Sequence, residues 1–159
     1  MRALALAIVI VTLTGVAFAT PVAVLRVDPG GHVYPLADGE RYEYSYQQSI
    51  YEVPVIEEHV RSGDTLQIVR VRSRDLRAVE YFRWDGRIRR EGDEYVEDAP
   101  PNHVDALAIR ITQEGAQRLR GERFDLSLRA QFDEIVVTVR PEHVPALFAL
   151  LAQLGRTVP

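Results

Sequence analysis

The chain of 159 residues contains neither cysteine nor lysine. Without cysteine, disulfides and thiolate metal ligands are excluded, so the fold has to be stabilised by packing. Arginine supplies all 19 basic residues, against 23 aspartates and glutamates, and the net charge at pH 7 is −4. This mildly acidic balance, with no basic stripe, argues against nucleic acid as a partner.

Sequence motifs for metal binding, catalysis and phosphate binding are also missing. The four histidines, His32, His59, His103 and His143, show no His-x-His or His-x-x-x-His spacing, so no metal site is predicted. There is no Gly-x-Ser-x-Gly elbow and no glycine-rich phosphate loop. The sequence therefore predicts no metal and no cofactor and favours a protein that is not an enzyme, although a site assembled from distant residues stays open.

The N-terminus has the pattern of a secretory signal peptide. Arg2 precedes the uncharged run from Ala3 to Val16, and Ala17-Phe18-Ala19 is a small-x-small step that a signal peptidase accepts. We predict a signal over residues 1–19, cleavage before Thr20, and export to the periplasm or the extracellular space. An uncleaved membrane anchor is the alternative, although the run is shorter than the roughly 20 apolar residues that span a bilayer. Residues 20–159 are expected to form a single β-rich domain.

Alternating patterns predict the first core strands. Tyr42, Tyr44 and Tyr46 share one face of a strand, and Gln48 continues that face. The next strands are predicted at 53–60 and 65–73, separated by a Ser-Gly-Asp turn. In the second of these the apolar face changes between Ile68 and Val69, which indicates either a bulge or a strand that is covered on both faces.

The second half of the chain combines turn signals with cleaner alternation. Asp85-Gly86 predicts a two-residue hairpin turn, and the acidic stretch 91–102, with two prolines, is interpreted as a loop. Three alternating runs follow, and they predict an antiparallel meander with one buried face; they lie at 107–111, 124–128 and 135–139.

The C-terminus has the signals of a helix over about 141–154. Pro141 suits a first helical position, Glu142 the N-terminal dipole, and Gly155 a helix end. One apolar stripe is expected to pack on the sheet, and it comprises Val144, Leu147, Phe148, Leu151 and Leu154. Together the elements predict a mainly β protein, an antiparallel β-sandwich or partly open barrel with one C-terminal α-helix.

Two groups of residues are candidates for a functional site. The tyrosine face ending in Gln48 offers aromatic surface and one amide, which suits a ligand cavity, although tyrosines also pack in ordinary strands. Glu57, Glu58 and His59 are the densest titratable group on a strand. If that strand buries Ile56 and Val60, alternation places Glu58 inward, where its carboxylate needs a partner or a raised pKa. This group keeps open a hydrolase with a spatially assembled carboxylate or histidine site.

One segment carries a family resemblance. Tyr44-x-Tyr46-x-Gln48-Ser49-Ile50, followed by Pro54-Val55-Ile56-Glu57-Glu58, resembles the opening of the DUF1850 family (domain of unknown function 1850) of small exported bacterial proteins. In that family a strand ends in His-Ser-Val, and a proline then leads into an acidic strand. Gln48 replaces the family's histidine, and the family's Ser-x-Gly-Ala-Gly-x-Pro turn is absent after Ser73. The resemblance covers roughly residues 23–140.

The resemblance implies a function outside the cytoplasm. Such proteins often accompany TRAP transporters of the TAXI type, in which an extracytoplasmic solute-binding protein works with membrane subunits. It therefore implies a non-enzymatic accessory or ligand-binding protein of solute uptake, with a solute-binding protein or transporter subunit as partner and a small molecule as ligand. A purely structural envelope domain is the remaining alternative. The predicted binding residues are Tyr44, Tyr46, Gln48, Ser49 and Glu58.

Overall fold

The computed structural model describes residues 18–154, so nearly all of the predicted signal segment lies outside the described residues. The described chain is mainly β and forms two antiparallel sheets, as predicted. Neither sheet closes into a barrel within this range, and the two sheets form the sandwich-like arrangement that was one of the two predicted architectures. Over residues 18–154 no helix has both the length and the apolar character needed to cross a bilayer.

The smaller sheet has four strands. They are β1 (Pro21–Asp28), β2 (His32–Pro35), β8 (Leu107–Arg110) and β11 (Val136–Pro145). Their order across the sheet is β2-β1-β11-β8. Strand β1 pairs with β11 along its whole length, so the two ends of the described chain meet in this sheet.

The larger sheet has seven strands. They are β3 (Arg41–Gln48), β4 (Val53–Ser62), β5 (Thr65–Ser73), β6 (Arg89–Glu91), β7 (Glu94–Asp98), β9 (Arg118–Gly121) and β10 (Phe124–Ser127). Their order is β10-β9-β3-β4-β5-β7-β6. The three strands predicted from alternation, β3, β4 and β5, are therefore consecutive neighbours near the centre of the sheet.

The change of apolar face in β5 is a β-bulge. Glu58 of β4 pairs with Arg70, whereas the next residue, His59, pairs with Ile68. Val69 is the extra residue, and its carbonyl accepts a hydrogen bond of 3.0 Å from the N–H of Ala99. The first of the two predicted explanations is therefore confirmed.

Between residues 20 and 154 three helices accompany the sheets: α1 (Leu76–Glu80), α2 (Leu128–Gln131) and α3 (Ala146–Leu154). Helix α1 was not predicted, although Asp75 is a residue type that caps helices. Its carboxylate accepts a hydrogen bond of 2.9 Å from the backbone N–H of Arg77, which satisfies one of the open donors at the helix start. The capped helix buries Ala78 and Val79 against the larger sheet.

Two apolar cores cover the inner face of the larger sheet. The first lies between the sheets, and its centre includes Leu25, Leu36, Leu66, Leu119 and Val137. The second lies under α1 and includes Val55, Val71, Ala78 and Val79. Tyr44 packs against the first core and Tyr46 against the second. Strand β3 therefore passes from one core to the other between these two tyrosines.

The predicted meander is wrong, because its strands belong to different sheets. Strands β8 and β11 pair in the smaller sheet, while β10 joins the larger one through β9. The sequence of β9, Arg-Leu-Arg-Gly, buries only Leu119, and so short a pattern was not interpreted as a strand. The predicted buried faces are nevertheless confirmed: Ile109, Leu126 and Val137 are all buried.

The predicted hairpin at Asp85-Gly86 is also wrong. These residues lie outside the strands, and the hairpin is formed by β6 and β7. Its turn and β7 lie within the stretch 91–102 that was interpreted as a loop. The turn contains Gly92, whose φ of 63° lies in the left-handed region that glycine tolerates.

The C-terminal helix starts later than predicted. Pro141 lies within β11 opposite Leu25, and β8 pairs with β11 only as far as Val139. The proline therefore falls beyond the ladder on that side, where strands tolerate it. Helix α3 begins at Ala146 and packs through Ala149 instead of the predicted stripe. Of that stripe, Val144 is buried in β11, while Leu147, Phe148, Leu151 and Leu154 are 43–57% exposed.

Candidate functional site

The antiparallel register of β3 and β4 places the tyrosine face beside two titratable groups. Tyr42 is opposite His59, and Tyr44 is opposite Glu57. Because directly opposed residues project to the same face of a sheet, the three tyrosines share the inner face with Glu57 and His59. We call Tyr42, Tyr44, Tyr46, Glu57 and His59 the inner-face cluster.

Stacking and one hydrogen bond fix the cluster. The rings of Tyr42 and His59 are parallel within 17°, with centroids 5.1 Å apart. Tyr44 and Tyr46 also stack, at 5.0 Å. His59 Nε2 lies 3.1 Å from a carboxylate oxygen of Glu57, so the imidazole orients the carboxylate. The His59 side chain is only 1% exposed, whereas Glu57 is 15% exposed, so the carboxylate is the part that reaches solvent.

The carboxylate acts electrostatically on all three tyrosines. Burial raises the pKa of Tyr42, Tyr44 and Tyr46, and the negative charge of Glu57 raises the pKa of each further. A hydrogen bond with Glu57 adds to the effect at Tyr46. The phenols therefore stay protonated, and the cluster is a carboxylate surrounded by aromatic rings and hydroxyl donors.

Several buried polar atoms on this face have no hydrogen-bond partner among residues 18–154. They are Tyr42 Oη, His59 Nδ1 and Gln48 Oε1. Gln48 is buried at the end of β3, at the place where the tyrosine face was predicted to close. Such groups are uncommon in protein interiors because each forgoes a hydrogen bond it could make in water.

Glu58 does not join the tyrosines. Strand β4 buries Val55, His59 and Arg61 in place of Ile56 and Val60, so the expectation that Glu58 points inward is wrong. On the outer face its carboxylate lies 3.5 Å from Arg41 and 3.7 Å from Arg72.

The outer face of the larger sheet carries an ion-pair network around Arg72. Its guanidinium also contacts Glu43 at 2.6 Å and Glu94 at 2.8 Å. Partly exposed pairs of this kind contribute little to stability, and here they neutralise the carboxylates. Glu58 belongs to this charged surface and to no cleft shared with Glu57.

The structure thus brings together three of the five predicted binding residues, Tyr44, Tyr46 and Gln48. Ser49 lies in the exposed turn after β3, and Glu58 lies on the opposite face. Glu57 and His59 were considered only as parts of a hydrolytic site. The signal that could have placed them with the tyrosines is the pairing of β3 with β4 as a hairpin, since its register sets Glu57 opposite Tyr44.

Within residues 18–154 no group of three His, Asp or Glu side chains is arranged to hold a metal ion. No protein-family model matches the chain, and neither a curated protein nor a solved structure shows significant similarity to it.

Proposed function

We propose that this protein is a non-enzymatic extracytoplasmic binding protein, an accessory of a solute-uptake system, and that its inner-face cluster binds the cationic group of a small organic solute. The position of Glu57 carries this proposal. Its partly exposed carboxylate stands among three tyrosines, and its charge raises the pKa of each of them.

The chemistry of the cluster favours a cation over other ligands. A carboxylate attracts an ammonium or guanidinium group, and aromatic faces contribute about 0.5–2 kcal/mol through cation–π contacts. The stacked Tyr44 and Tyr46 rings supply such faces beside Glu57. An anionic ligand would be repelled, because no arginine forms an ion pair with Glu57 among the described residues.

Hydrolysis is less well supported by the same geometry. His59 is buried, and its Nε2 is engaged by Glu57, so the imidazole does not face a substrate. Glu57 and Glu58 lie on opposite faces of β4, so the two carboxylates cannot flank one bond as glycosidases require. The link to solute uptake rests on the resemblance to DUF1850 proteins and on the predicted signal segment.

A binding assay tests the proposal, with Glu57 as the test residue and the neighbouring Glu58 as the control. Isothermal titration calorimetry with matched organic ammonium, neutral and carboxylate compounds should detect binding of the ammonium compounds alone. Glu57→Gln should weaken binding at least about tenfold, because a hydrogen bond to a charged group contributes about 1.5–3 kcal/mol. Glu58→Gln, on the opposite face of the same strand, should leave affinity unchanged. Equal binding of the anionic compounds, or unchanged affinity in Glu57→Gln, would contradict a cation site.

A further inference from the structure

Helix α3 presents apolar side chains to solvent. Five large residues on it are 43–57% exposed, namely Leu147, Phe148, Leu150, Leu151 and Leu154, while the helix contacts the protein through Ala149. The nine residues of α3 include no charged side chain. A surface helix normally carries a polar face, and a contiguous exposed apolar patch of this kind marks an interaction surface.

The N-terminal end of the described chain lies in this same patch. Phe18 and Ala19 line an open groove of about 580 Å³ together with Pro145, Leu147, Phe148 and Leu151. The backbone fixes this arrangement. The N–H of Ala146 donates to the carbonyl of Thr20 at 2.9 Å, and Pro21 pairs with Pro145. These backbone contacts place Phe18 next to the start of α3. We call Phe18 with the exposed residues of α3 the apolar end.

The sequence before Phe18 indicates what covers the apolar end. Residues 3–17 contain no charge and only two threonines as polar side chains. If this segment folded back over α3, its own outer side would expose as much apolar surface as it covered. A second copy of the chain would leave the same segment uncovered. A lipid bilayer accommodates both, because it takes up the segment and the exposed face of the adjoining helix.

We propose that the apolar end is a lipid-docking surface, and that residues 3–17 remain attached as a bilayer anchor in place of the predicted cleavage before Thr20. Because Phe18 lies beside α3 and directly follows the apolar segment in the sequence, a bilayer that holds the anchor also has α3 at its boundary of headgroups and acyl chains. Its apolar residues then reach about 5–10 Å into the membrane, as in other interfacial helices. This surface is independent of the inner-face cluster, which is built from the other sheet.

The absence of cysteine allows a direct test. The full chain carrying Leu151→Cys is labelled with an environment-sensitive fluorophore and reconstituted into phosphatidylcholine vesicles. We expect the emission to shift to the blue and to be quenched by a quencher attached to the lipids near the headgroups. Ile50→Cys is the matched control, because Ile50 is 59% exposed and lies in the turn after β3. It should show neither effect. Leu147→Cys provides a second probe of the apolar end.

Three results would overturn the proposal. A water-like emission from the label at Leu151 would show that α3 does not contact lipid. A blue shift without quenching by the lipid-borne group would show that protein covers the helix. N-terminal sequencing of the chain from a membrane fraction should begin at Met1 or Arg2, and a start at Thr20 would remove both the anchor and Phe18.

Discussion

Arg61 is the residue whose replacement tests the packing of the two sheets most directly. It lies on β4 in the larger sheet, and 1% of its surface is exposed. Its Nη1 atom shares two N–H groups among three carbonyls on the side of the smaller sheet, those of Val24, Leu36 and Glu142, at 2.9–3.2 Å. Its Nε–H donates to the carbonyl of Gly63 at 2.9 Å. One buried side chain therefore bonds both sheets together.

The expected effect of Arg61→Met follows from these bonds and from the burial of the charge. Three N–H donors of the guanidinium, two on Nη1 and one on Nε, are lost; at about 1.5 kcal/mol each they contribute about 4.5 kcal/mol. Burial lowers the pKa of Arg61, because the buried environment disfavours the charged guanidinium. Methionine removes this buried charge, which offsets part of the lost hydrogen-bond energy. We expect a net loss of about 3 kcal/mol, a large share of the roughly 5–15 kcal/mol by which domains are stable.

Urea denaturation followed by the fluorescence of Trp84, the only tryptophan, measures this loss. Arg41→Met is the matched control, because Arg41 is 64% exposed and forms only a surface ion pair with Glu58. That change should alter the free energy of unfolding by less than about 1 kcal/mol. If Arg61→Met is as stable as the wild type, desolvation of the guanidinium outweighs its bonds and the reasoning fails.

Two further predictions concern buried side chains that each have an oxygen atom without a hydrogen-bond partner among the described residues. Burial raises the pKa of Glu97 above 4.5, so the folded state holds its proton to higher pH than the unfolded state does, and stability falls as pH rises from about 4.5 through the folded-state pKa. Glu97→Gln should remove this fall and raise the melting temperature at pH 7, as measured by thermal unfolding between pH 4 and 8; an unchanged profile would contradict it. Tyr42→Phe removes a buried hydroxyl with no partner among the described residues, so the free energy of unfolding should stay the same or rise by up to about 1 kcal/mol. A clear loss of stability in Tyr42→Phe would instead reveal a hydrogen bond at that hydroxyl.

The features that could be predicted are those encoded by neighbouring residues. The alternation of Tyr42, Tyr44 and Tyr46 predicted β3, and the change of face after Ile68 indicated a bulge as one of two explanations. The sheet to which a strand belongs depends on distant partners. Nothing in the run at 124–128 distinguishes pairing with β9 from pairing with β11, so the meander was predicted from chain order and proved wrong.

In the candidate site, too, only the features encoded by neighbouring residues could be predicted. The tyrosine face could be predicted, but the orientation of β4 could not, since two alternating series compete in it. Ile56 and Val60 are apolar and were expected inside, yet the strand buries His59 and Arg61. These polar residues occupy inner positions because Tyr42 of β3 stacks on His59 and carbonyls on the side of the smaller sheet bond Arg61, and both sets of partners come from other segments of the chain.

The bulge at Val69 determines which residues of β5 face the two cores. Leu66 lies in the core between the sheets and Val71 in the core under α1, although strict alternation would send these two residues to opposite faces. The extra residue resets the alternation and allows one strand to serve both cores. Deletion of Val69 would remove the unpaired residue and leave Leu66 and Val71 an even number of positions apart, so a regular strand would still place both inward. Loss of a paired residue with the bulge in place would instead turn Val71 outward and Arg72 inward, so β5 should tolerate the first deletion better than the second.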